Sequence, residues 1–262
     1  MISFIVIGKN EEAYLKACLN SVFSAIGYFS ILEYEVIYVD SNSSDSSIEL
    51  AQAFDKVNIF KIKKNESAAS GRNIGADHAK GDILFFIDGD MIINEHFLHY
   101  VLDENKQLKY EWVTGEFLHH ILNRNNEIIK QLPYYTIKNK EQEVLDSNGC
   151  FIIRKKIWQE LGGMDIRLKN GEDYDFFFRC RKKGYRFIRI KELMAEHHIM
   201  PYENPIRQWK EIFNGRQILY RAFLWRKNIL NKHICKLFIR QEYSLIGLII
   251  FTAAAIGLNS LL

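Results

Sequence analysis

Apolar positions in the first hundred residues alternate between short continuous runs and spaced repeats. Ile2–Ile7 is an unbroken apolar run closed by Gly8. That pattern fits a strand buried on both faces. Leu15, Cys18, Leu19, Val22, Phe23 and Ile26 then recur at helical spacing. Val36–Val39 repeats the strand pattern and ends at Asp40, and Ser43 and Ser44 stand ready to cap a helix carrying Ile48, Leu50 and Ala51. Val57–Ile62 predicts a third strand, Ala68 to Ala79 a small-residue helix, and Ile83–Ile87 a fourth strand ending at Asp88.

Strands alternating with helices imply right-handed crossovers and a mostly parallel sheet. Ligands of such sheets bind at the carboxyl ends of the strands, where Gly8, Asp40 and Asp88 fall. Glycine and aspartate are also ordinary turn formers, so only their coincidence at three strand ends points to a site. Beyond residue 110 the alternation breaks. Trp112–Ile121, Cys150–Ile153 and Arg186–Ile190 read as strands, and Lys155–Leu161 and Glu172–Lys183 as helices stopped by Gly162 and Gly184. This half is expected to be an α+β extension that receives a second substrate.

Phe85-Phe86-Ile87-Asp88-Gly89-Asp90 sets two carboxylates one residue apart beyond a buried strand. Alternate residues of an extended segment share a side, so both can address one divalent cation, whose remaining positions diphosphate oxygens can fill. A solvated Asp-Gly-Asp turn has the same sequence. Glu172-Asp173-Tyr174-Asp175 opens a helix, where the dipole alone favours acids. A carboxylate there can also serve as the general base that activates a hydroxyl. Arg72 is either an exposed helix residue or a hydrogen-bonding fork for a base or phosphate. Of the neighbouring His197 and His198, His198 is the candidate third metal ligand and His197 a surface residue.

Four segments taken together resemble the inverting glycosyltransferases of family 2, which have the GT-A fold. They are Phe4 to Glu12, Val39 to Asp45, Gly71 to Gly75 running on to Asp88-Gly89-Asp90, and Gly171 to Asp175. The resemblance spans roughly residues 1–200. It implies that Gly8, Asn10, Glu11, Asp40, Arg72 and Asp88 hold a nucleotide, and that Asp88 and Asp90 bind Mn²⁺ or Mg²⁺. It also implies that Asp173, beside Glu172, is the catalytic base. Met91 stands where many members carry another acid, and Gln217-Ile218-Leu219-Tyr220-Arg221 does not match the QxxRW signature of processive members. One sugar per encounter is therefore expected, from a UDP- or GDP-linked donor to a glycan or lipid-linked acceptor. A catalytically silent sugar-nucleotide-binding subunit would not need Asp88, Asp90 and Asp173 together. A nucleotidyltransferase would need a glycine-rich basic loop in place of the acidic Gly8 to Glu12 segment.

Charge and composition bear on the other end of the chain. The 48% hydrophobic residues suffice for a core, and 26% charged residues exclude a wholly membrane-buried protein. Net charge is only +3, but Arg207, Lys210, Arg216, Arg221, Arg226 and Lys227 crowd the last quarter. Aromatic and aliphatic residues interleave with them over 206–242, as in a helix lying on anionic lipid. Tyr243–Leu262 carries no charge and is long enough to cross a hydrocarbon core. The expected organisation is a catalytic domain at 1–205, a basic amphipathic region at 206–242 and a membrane-associated helix at 243–262. Positive residues beside that helix place the catalytic domain at the cytoplasmic face. No nucleic acid partner is expected.

Overall fold

The computed structural model describes residues 1–123, 125, 127–144, 149–168, 170–199, 223–228 and 231. In the amino-terminal half the strands are β1 (Ile2–Gly8), β2 (Tyr34–Asp40), β3 (Val57–Lys61) and β4 (Ile83–Asp88). They alternate with the helices α1 (Leu15–Tyr28), α2 (Ser47–Gln52) and α3 (Ala68–His78). These strands pair in parallel in the order β3-β2-β1-β4. The continuous apolar runs are the central strands, and Phe4, Ile5, Val6, Phe85, Phe86 and Ile87 are fully buried. Each contributes about 1.5–3 kcal/mol relative to exposure.

Helix α3 lies unusually close to β1. A Cβ on Gly75 would stand 2.2 Å from Cγ2 of Ile5, so only glycine allows this approach. The close seat carries Arg72, one turn earlier, over the ends of β1 and β4. Helix α2 begins later than the serine cap predicts: Ser46 precedes its first turn without a side-chain cap. Ser43 and Ser44 instead bond the loop after β1.

The second half continues the sheet as β4-β9-β6-β10-β5, with β5 (Met91–Ile93), β6 (Trp112–Leu122), β9 (Phe151–Arg154) and β10 (Phe187–Ile199). The β7 strand (Ile128–Tyr134) pairs with β6, and β8 (Glu141–Glu143) with β10. β9 joins β4 and β6 antiparallel, whereas β6 and β10 run parallel. The remaining helices are α4 (Phe97–Val101), α5 (Lys155–Leu161) and α6 (Glu172–Lys182). β10 runs on to Ile199, well past the predicted end, and carries His197 and His198 back to β5.

An aromatic wedge seats α6 on the sheet. Trp112 stacks on Phe187 with centroids 4.0 Å apart, and Phe176 of α6 meets Trp112 edge-on at 5.5 Å. Among the described residues no helix is long and apolar enough to cross a membrane. The membrane-associated helix expected at 243–262 lies outside the described residues. So does most of 206–242; the helical turn 223–228 packs Leu224 into the cluster under α6.

Candidate active site

Gly8 and Asp88 end parallel neighbours, with Ile7 in register with Asp88, and Gly89 N–H donates to the Ile7 carbonyl at 2.8 Å. A cleft of about 300 Å³ opens there, with Gly8, Glu11, Ser41, Ser67, Asp88 and Asp90 on its walls. The loop after β1 is knitted to the loop after β2. Asn10, at φ 59°, accepts from Ser44 N–H at 2.8 Å and donates its own N–H to Ser43 Oγ at 2.9 Å. Glu11 N–H donates to Ser47 Oγ at 2.9 Å. Asn10 therefore shapes the cleft wall, and Glu11 forms part of it.

Asp40 is fully buried and outside the cleft lining. Its carboxylate accepts from Ser43 N–H at 2.9 Å and Tyr38 Oη at 3.3 Å, holding the turn that faces Asn10. In this arrangement it holds the turn beside the pocket.

Arg72 is neither the exposed helix residue nor the open fork considered from the sequence. It is 3% exposed and donates through Nη2 to Asp88 Oδ1 at 2.7 Å and to the Gly149 carbonyl at 3.3 Å. Its Nη1 lies 3.5 Å from Glu172 Oε1. One guanidinium thus joins the end of β4 to the start of α6, two segments 84 residues apart in sequence (172 − 88). Gly149 makes this possible. Its φ is +81°, and a Cβ would stand 2.2 Å from Asp88 Oδ2 and 2.7 Å from Arg72 Nη2. The sequence signal for it was the Asn148-Gly149 turn dipeptide just before an apolar run.

Asp90 points to the other side. Its Oδ2 lies 3.1 Å from His197 Nε2, and its Oδ1 is buried with no hydrogen-bond partner among the described residues. The expected third ligand, His198, is not the histidine that meets the carboxylates. Successive residues of a strand face opposite ways. His198 stacks between Tyr14, with centroids at 4.6 Å, and His120 at 4.8 Å.

The electrostatics are those of crowded negative charge. Burial, then Asp90 and Asp88, push the Glu11 carboxyl up to about 8. Burial raises Asp88 too, against the pull of Arg72. Burial works against charge on His197, but its bond to Asp90 and the surrounding carboxylates raise it above the ordinary imidazole value. Burial and His197 bring the neighbouring His119 down to about 4. Unsatisfied carboxylate oxygen, a histidine nitrogen and mutual repulsion are what a divalent cation relieves. Among the described residues no group of three or more such side chains is gathered for an ion; Asp90 and His197 are the paired candidates, because one Asp88 oxygen already serves Arg72.

Helix α6 reaches the site through Arg72, and none of its residues is among those lining the cleft. Gly171, at φ 73°, turns the chain into the helix, and Glu172, Asp173 and Asp175 fill its first turn. Asp173 Oδ1 accepts from Tyr174 N–H at 2.8 Å. Asp175 faces inward, fully buried, and binds Arg179 Nε at 2.8 Å and Lys227 Nζ at 2.9 Å. Of the three acids, Glu172 is the one tied through Arg72 to Asp88, and Asp173 follows it in the same first turn.

A sequence profile described as Glycosyl transferase family 2 matches residues 3–162. An uncharacterized glycosyltransferase of Methanocaldococcus jannaschii is 24% identical over 252 residues, covering 90% of this chain and 82% of that protein. Glycosyltransferase AglE of Haloferax volcanii is 22% identical, covering 82% of this chain and 72% of AglE. Among solved structures, Staphylococcus aureus TarS in complex with UDP superposes with a TM-score of 0.57 at 19% identity, over 76% of this chain. The chain spans 60% of that TarS fragment, and the likeness is one of fold.

Proposed function

The chain belongs to glycosyl transferase family 2, and from that premise we propose that it moves one sugar at a time, with inversion, from a UDP- or GDP-linked donor to a glycan hydroxyl. The observation that carries this reading is the Arg72 bridge. It ties Asp88, beyond β4, to Glu172 at the acidic start of α6, so that two acidic segments meet at one guanidinium. Displacement with inversion needs the leaving diphosphate on one side of the sugar and a base on the other, and the two segments supply acids for both.

Glu11, Asp88 and Asp90 frame the diphosphate side, and Asp90 with His197 would hold Mn²⁺ or Mg²⁺. When bound, the cation neutralises charge developing on the departing diphosphate. On the acceptor side Asp173 takes the hydroxyl proton as the oxygen attacks the anomeric carbon. Glu172 is held by Arg72 and orients the helix start. In support, TarS has been solved with UDP-GlcNAc, and GalNAc-T7, of like fold at TM-score 0.58, with UDP, GalNAc and Mn²⁺.

The acceptor we favour is lipid-linked, with the enzyme at the cytoplasmic face of the membrane. Supporting that are the uncharged Tyr243–Leu262 and its basic approach. A screen of nucleotide sugars for thermal stabilisation with Mn²⁺ or Mg²⁺, followed by turnover of the best donor, tests the activity. Absence of cation-dependent stabilisation by any UDP- or GDP-sugar overturns it. Cutting the chain before Tyr243 should shift protein from the membrane to the soluble fraction; a full-length chain that fractionates as soluble without detergent removes the membrane anchor.

A further inference from the structure

A row of rings leads outward from Asp90 across the sheet. His197 meets His119, its register partner on β6, edge-to-face with centroids 5.1 Å apart. Tyr134 of β7 stacks on His119, with centroids 3.9 Å apart and planes 28° from parallel. Tyr135 packs edge-on against Tyr134 at 4.0 Å and fixes its plane. His119 faces Leu132 across the β6–β7 pair, so Tyr134, two residues on, projects to the same side.

Tyr134 is nevertheless 41% exposed. One face rests on His119 and the rest of the ring is open to solvent, although tyrosine gains most when its body is covered and its hydroxyl left wet. We propose that Tyr134, backed by His119, is a stacking platform that receives a pyranose ring of the acceptor glycan. This rests on reading the chain as a transferase to glycans.

The chemistry selects a sugar. A pyranose offers a patch of C–H groups that sits on the negative face of an aromatic ring, and its hydroxyl rim stays hydrated. An acyl chain would require a continuous apolar strip. Here Leu132 is exposed beside Tyr134, but the exposed Lys130, in register with Ile121, ends the strip after these two residues. The place suits an acceptor because β6, β7 and β10 belong to the second half of the sheet, the half expected to receive the second substrate, and the rings Tyr134–His119–His197 lead from there to Asp90 at the cleft.

The test is saturation-transfer NMR on the full chain with methyl glycosides of glucose, galactose, mannose and N-acetylglucosamine. UDP and GDP affinities with Mn²⁺ are measured on the same samples. At least one glycoside should receive saturation on its ring C–H protons. Tyr134→Ala and Tyr134→Leu should reduce it about fivefold or more, whereas Tyr134→Phe keeps it. Nucleotide affinity should not change in any variant. No saturation of any glycoside in the parent chain, or equal saturation in Tyr134→Ala and Tyr134→Leu, overturns the platform. Failure of the parent chain to bind either nucleotide would instead remove the transferase reading on which it rests.

Discussion

Arg72 and Asp88 meet at 2.7 Å through Nη2 and Oδ1, with the guanidinium almost wholly buried between the end of β4 and the start of α6. A buried ion pair contributes little net stability, but removing one partner strands the other charge and costs about 3–5 kcal/mol where burial is complete. The value of this pair lies in where it holds Asp88. Gly149 gives a gentler probe than deleting either charge. Gly149→Ala places a methyl on the Asp88 oxygen and forces a positive φ on alanine. We expect destabilisation of about 1–3 kcal/mol. Transfer should fall further than the lost folded fraction explains. Thermal unfolding and turnover measured together decide it; parental values in both would show that the bridge has slack.

The cation side makes a separate prediction about two adjacent histidines. Asp90→Asn should leave the fold intact, weaken cation-dependent nucleotide binding and lower transfer steeply. His197→Ala should do the same more mildly. His198→Ala, which removes a ring stacked on Tyr14 and His120, should affect stability more than cation dependence. Titrating Mn²⁺ against nucleotide affinity separates them. If His198→Ala raises the Mn²⁺ requirement and His197→Ala does not, the ligand assignment is reversed.

That contrast shows what was legible in the sequence. The buried parallel strands announce themselves as unbroken apolar runs, and Asp88-Gly89-Asp90 stands out at the end of one. β10 does not, because Lys191 and Glu192 interrupt its apolar pattern just where it continues towards the site. The choice between His197 and His198 then depends on strand phase, which no local pattern gave. β7 is exposed along its whole length, so neither alternation nor a continuous run marks it, and the aromatic shelf on it went unread. For Arg72 the sequence offers an exposed helix residue or a fork for a base or phosphate but not a buried bridge, because its partners, Asp88, Gly149 and Glu172, come from three distant segments.

Glu11 supplies a pH prediction. Its carboxyl is held up to about 8 by burial and by Asp90 and Asp88, whereas in an unfolded chain it titrates near 4.5. Between those values the folded state binds the extra proton, so stability falls as pH rises through that window. Glu11→Gln removes the titration. In chelator, the variant should match the parent at about pH 5 and exceed it by about 2–4 °C in Tm per kcal/mol gained at about pH 8.5. A parent and variant whose Tm difference does not change with pH would show that Glu11 lies in a more solvated place than the cleft wall implies.

The base can be argued from the same geometry. Direct displacement with inversion needs one carboxylate on the acceptor side, placed to take a proton as the hydroxyl attacks. Three acids crowd the first turn of α6. Asp175 is excluded by its full burial against Arg179 and Lys227. Glu172 is 13% exposed, and its Oε1 lies 3.5 Å from Arg72 Nη1, which commits it to holding the helix start. Asp173 remains, at the head of the helix just after the left-handed turn at Gly171. Asp173→Asn keeps the shape and cannot accept the proton, so nucleotide-sugar affinity should survive. Turnover should drop by about a hundredfold to ten-thousandfold, the usual contribution of general-base catalysis. Glu172→Gln should lose less, because Arg72 keeps its bond to Asp88 at 2.7 Å and to Gly149 at 3.3 Å. The two variants are to be compared side by side, with donor affinity as the control. A larger loss in Glu172→Gln would exchange the roles of base and strut, and full activity in both would place the base outside α6.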